Sequence, residues 1–173
     1  YDALRRAPER EALAAALAGL EDFDPRSARI PGPIGFWLNT YSACALLAAL
    51  DVAPARDVRR VERFFERARV CVAGLAYSLD DIEHGLLRGN AHRHGRLFGP
   101  LGREDPRLAF TPLIFDERIH FTLYSPCRST PALRVYHAGR LEAELEDAAR
   151  DYLRRDVRVE RDGHAEVFAF SMR

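Results

Sequence analysis

The chain has 173 residues, 47% of them hydrophobic and 30% charged, with 26 basic against 26 acidic residues. That length supports one domain with a real core, and the whole of 1–173 is expected to form it. Balanced charge with no basic block argues against a nucleic-acid partner, and no apolar run reaches the roughly 18–20 residues of a membrane span.

All of the basic residues are Arg, which reads as the mark of a GC-rich, bacterial genome. Cys44, Cys71 and Cys127 are odd in number and widely spaced, so neither disulfides nor a CxxC metal site is expected. Beginning at Tyr1 rather than Met, the chain reads as a mature or excised segment. A cytoplasmic location and export after loss of a leader both stay open.

Residues 8–20 have helical spacing, with Leu13, Ala16, Leu17 and Leu20 on one side. Prolines at 25, 31 and 33 then interrupt the chain. Residues 35–50 form the most apolar stretch and predict a buried central helix carrying Trp37, Tyr41 and Cys44. Asn39 is polar inside that helix, so its amide needs partners, as from a neighbouring loop. A further helix is expected from Pro54 to about residue 67, and a strand over 70–77.

Residues 78–90, SLDDIEHGLLRGN, carry the densest signal. Ser78 followed by Asp81 is an N-cap pattern, acidic residues suit the first turn, and Gly89-Asn90 suits a left-handed stop. Leu79, Ile82 and Leu86 share one face, and at about 100° per residue Glu83 falls inside it. A carboxylate there needs a cation, a hydrogen-bond partner or a proton. His84 lies at the edge of the stripe, within reach of Asp80 and Asp81. The functional reading is an acid/base pair in a cleft; the competing one is an ion-pair network that pins the helix.

Residues 91–102 read as a loop in which His92 and His94 make the one metal-like spacing. No third ligand stands nearby, so no metal is expected. Residues 112–116 read as a short extended piece and 118–124 as a strand, with Ile119, Phe121 and Leu123 alternating against His120, Thr122 and Tyr124. A polar loop follows with Ser125 and Cys127, and Arg134 lies just beyond. Residues 139–155 predict an amphipathic helix with Glu146–Arg150 and Asp151–Arg155 pairs. A β-hairpin turned at Asp162-Gly163 is expected last. The fold class is therefore α+β, with helices packed on a small, mostly antiparallel sheet and a C-terminal hairpin.

The blocks FWLNTYSA (36–43), SLDDIEHGLLRGN (78–90), DPRL (105–108), IHFTLY (119–124) and PALRVY (131–136) occur in an order that resembles the bacterial and plant family called domain of unknown function 547. The resemblance covers about 35–173 and implies a papain- or transglutaminase-like hydrolase or acyl transferase. The family pattern has a Cys where this chain has Ser125, a second Cys where it has Thr130, and an Asn where it has Ser42. Asn39, Glu83, His84, His120 and Arg134 match it.

Two functions follow. In the first, Cys127 or Ser125 is the nucleophile, His84 or His120 the base, and Glu83 or Asn39 the orienting group. In the second, the chain is a non-catalytic, degenerate module, with Asn39 and Arg134 completing a polar pocket for a small-molecule or peptide ligand. Neither reading calls for a cofactor.

Overall fold

The computed structural model of the chain describes residues 7–26, 34–52, 58–91, 98–112, 115–127, 130–162 and 165–170. Helix α1 (Ala7–Ala18) lies against helix α2 (Ile34–Asp51). α2 is the hub, with Trp37, Leu38 and Ala45 wholly buried and Tyr41 only 1% exposed. Its apolarity on every side explains this position: a helix without a polar face is stable only when surrounded. Trp37 packs against Phe36, Tyr77 and Phe110, and its indole N–H donates to the Phe110 carbonyl at 3.2 Å.

The expected helix from Pro54 is broken. Val58–Arg60 forms a 3-10 turn, and only Phe64–Arg67 (α3) is α-helical, because Arg63 sits in the left-handed region at φ 53°. Residues 53–57 lie outside the described residues. The strand expected over 70–77 is instead a hairpin of β1 (Arg69–Val72) and β2 (Leu75–Ser78), with Arg69 opposite Ser78 and Val72 opposite Leu75. Ala73 and Gly74 both take positive φ, 51° and 72°, the geometry of a two-residue primed turn. Their amides donate to the Leu20 and Glu21 carbonyls, so the turn is tied to the end of α1.

The segment read as a strand over 118–124 contains a 3-10 helix, Glu117–Phe121. Asp116 caps it by accepting from the Arg118 amide, and Thr122 closes it through its hydroxyl to the Ile119 carbonyl at 2.8 Å. Ile119 and Leu123 still face the core, whereas Phe121 is half-buried against Tyr152.

Helix α4 (Leu141–Asp156) buries Leu145, Ala148 and Ala149. The expected Glu146–Arg150 pair forms at 2.9 Å, but Asp151 pairs with Arg134 and Arg155 donates to the Thr130 carbonyl. Strands β3 (Val157–Asp162) and β4 (Ala165–Phe170) pair antiparallel, and residues 163–164 lie outside the described set. The two-stranded antiparallel β1–β2 sheet with helices around it makes the fold α+β. His92, His94 and the middle of the piece read as extended over 112–116 also lie outside the described residues. No helix among the described residues is long and apolar enough to cross a membrane.

Candidate functional site

The helix after β2 starts as the N-cap pattern implies. The Ser78 hydroxyl accepts from the Asp81 amide at 3.0 Å, and Asp81 Oδ2 accepts from the Ser78 amide at 2.9 Å. Asp81 is also held by Arg107, whose guanidinium reaches the Ala76 carbonyl and both oxygens of Asp105 as well. At the far end Gly89 and Asn90 take φ of 60° and 58°. The Asn90 amide group accepts from the Leu101 N–H and donates to the Leu101 carbonyl, so the stop also anchors the 98–102 loop.

Between these ends the backbone is a π-helix, Asp81–Leu87. The wide turn decides the site. At the roughly 100° per residue of an α-helix, residues i and i+5 point about 140° apart. A turn closed by i→i+5 hydrogen bonds is one residue wider and brings them closer to the same face. Glu83 and Arg88 are five apart, and Glu83 Oε1 lies 2.8 Å from Arg88 Nη2. Their side chains are 18% and 25% exposed, so this is a largely desolvated pair. Gly85 allows the close packing beside it: a Cβ there would lie 2.8 Å from Leu101 Cδ1.

Arg88 Nη2 also lies 2.9 Å from His120 Nδ1. A guanidinium only donates, so Nδ1 is the acceptor and the imidazole proton is on Nε2. Desolvation first and the Arg88 charge second hold the His120 pKa below its usual 6.5, which keeps the ring neutral at pH 7. The Phe115 ring stands edge-on to it at 6.1 Å. His84 Nε2 is 3.9 Å from Glu83 Oε1, with the His84 side chain 14% exposed.

Tyr41 reaches the same carboxylate from α2. Its hydroxyl lies 3.4 Å from Glu83 Oε2 and 3.2 Å from Ser125 Oγ. Burial first, and the Glu83 charge next, push the phenol well above its ordinary pKa. The Ser125 amide donates to Thr130 Oγ1 at 2.7 Å, which closes the polar loop between them.

The structure therefore gathers Glu83, His84, His120 and Ser125 and adds Tyr41 and Arg88, which sequence reasoning passed over. Arg88 sits at a spacing that an α-helical reading places on another face. Tyr41 reads as one more core aromatic, although a buried phenol must find a polar partner. Asn39 and Arg134 pair elsewhere, and Cys127 meets the cluster through its amide, which donates to the Ser125 carbonyl at 2.6 Å. Cys127 packs, half-buried, against the core. Asn39 donates to the Tyr136 carbonyl at 2.8 Å and accepts from the Tyr136 amide at 2.9 Å, as a paired strand would. Arg134 is engaged by Asp151 rather than by Glu83, whose cation is Arg88. All three cysteines are free thiols. Among the described residues, no three His, Cys, Asp or Glu side chains gather as a metal site.

The arrangement is a fixed polar floor. One guanidinium nitrogen bridges a carboxylate and a neutral imidazole, and two hydroxyls complete the row. The family described as protein of unknown function, DUF547, matches residues 32–153, and the chain belongs to it. The match covers every residue of the cluster. No curated protein and no solved structure matches the chain.

Proposed function

We propose that this domain is a non-catalytic binding module whose small-molecule or peptide ligand contacts the Glu83, Arg88, His120 and Ser125 cluster, with Tyr41 buried behind it. The Ser125–Tyr41 contact carries this reading. A serine becomes a nucleophile when a base takes its proton. Here the Oγ partner is a buried phenol with a raised pKa, which keeps its own proton at neutral pH. Glu83 is spent on Arg88, and His120 directs Nδ1 at Arg88. The His120 Nε2–H, on an exposed ring, is a natural donor to a ligand carbonyl or carboxylate.

A serine-dependent hydrolase or acyl transferase is the second reading, favoured by the approach of His84 to Glu83 at 3.9 Å, with Tyr41 linking Glu83 to Ser125. A fluorophosphonate probe separates the two. The binding reading expects no adduct at Ser125 by peptide mass spectrometry. An adduct at Ser125 that His84→Ala removes would overturn it in favour of the hydrolase.

A further inference from the structure

The end of α1, the C-terminal half of α2 and the first residues of β1 border an open pocket of about 370 Å3, away from the cluster described above. Small-molecule sites span roughly 300–1,000 Å3, so the volume is that of a ligand pocket. Leu17, Leu47, Ala48 and Val70 give it apolar walls. Cys44 and Cys71 also line it. Burial pushes the Cys44 thiol up to about 12, so at neutral pH it lines the wall as a small apolar group.

The rim is charged, and its charges differ in availability. Asp51 is engaged by Arg10. Arg69 donates Nε to the Glu66 carbonyl, which leaves its positive charge uncancelled. The Arg67 guanidinium has no hydrogen-bond or ion-pair partner among the described residues. With Asp51 neutralised by Arg10, two guanidiniums face the single carboxylate of Glu21. An open pocket with apolar walls under a net positive rim suits a molecule with an alkyl tail and one anionic group.

We propose that this cavity binds a short-chain anionic amphiphile, with its tail between Leu17, Leu47 and Val70 and its head at Arg67. Octanoate is the probe, and octan-1-ol is its uncharged counterpart. With about ten non-hydrogen atoms, octanoate supports a dissociation constant in the millimolar range. The readout is the maleimide alkylation rate of each cysteine in the full chain, followed by peptide mass spectrometry. Cys71 lines the cavity and Cys127 does not, so Cys127 is the internal control.

Millimolar octanoate should slow Cys71 severalfold and leave Cys127 unchanged. Arg67→Gln, an exposed and fold-neutral change, should reduce the octanoate effect to that of octan-1-ol. Leu47→Trp, which fills the chamber, should remove both effects. A Cys71 rate indifferent to octanoate, a parallel fall at Cys127, or full octanoate protection in Arg67→Gln would each overturn the proposal.

Discussion

Arg88→Met tests whether the Glu83–Arg88–His120 row is a mechanical part of the domain. Methionine keeps much of the aliphatic stem and removes the guanidinium. The loss has two parts: the 2.8 Å ion pair with Glu83 and the 2.9 Å contact with His120 Nδ1. With its side chain 18% exposed, the Glu83 carboxylate then keeps only the long 3.4 Å contact from Tyr41 and the more distant His84. Stranding a fully buried charge costs about 3–5 kcal/mol. Neither partner here is fully buried, so the expected loss is about 2–3 kcal/mol. For a chain of this size that is a fall in melting temperature of about 5–10 °C. Urea denaturation of wild type, Arg88→Met, Glu83→Gln and the double variant closes the cycle. The double variant should be more stable than the summed losses imply by at least about 1 kcal/mol, because removing both partners leaves no stranded charge. Strict additivity, or an Arg88→Met loss under about 0.5 kcal/mol, would refute the reasoning.

His120 should make stability depend on pH in a definite direction. Its pKa is lower folded than unfolded, so its contribution is fully present above the ordinary 6.5 and is lost as pH falls through the folded value. His120→Gln should flatten the melting temperature between about pH 7 and pH 5, and an unchanged slope would assign the pH dependence elsewhere. Gly99→Ala should destabilise by about 1–3 kcal/mol in thermal melts, because nothing so close to backbone can be accommodated without movement. The added Cβ would lie 2.2 Å from the Asn90 carbonyl oxygen. Gly102→Ala meets nothing within 4 Å and is the neutral control; equal effects at both positions would remove the argument.

What could be read from the sequence was local chemistry with a fixed offset. The Ser78–Asp81 cap and the Gly89-Asn90 stop depend on residues in one short segment, and the structure builds both. The need of Glu83 for a partner was also legible, since it follows from polarity on an apolar face. The identity of that partner was not. Arg88 comes within reach of Glu83 through the widened turn, and no residue spacing in 81–87 announces an i→i+5 ladder. The error over 118–124 has a different origin. Ile119 and Leu123 turn inward whether the backbone is extended or tightly wound, so apolar alternation did not discriminate. Asp116 and Thr122, the residues that close the turn, were the better signal.

Asp116 belongs to a pattern that appears three times among the described residues. Asp24, Asp105 and Asp116 are each followed two residues later by Arg, and each aspartate accepts from both the amide and the side chain of that arginine. An aspartate bonded to the backbone two residues on is an ordinary turn device. The arginine adds reach. After binding its own aspartate, Arg107 extends to Asp81 and the Ala76 carbonyl, Arg118 extends to Glu142, and Arg26 lies over the Phe110 ring. A planar fork with five donors can hold one carboxylate and still address a second group; an ammonium on a flexible stem has no such fixed geometry. The all-arginine composition thus has a structural use whatever its genomic origin. The clearest case is Arg107, which couples the DPRL turn to the buried cap of the π-helix, and so sets where Glu83 and Arg88 begin.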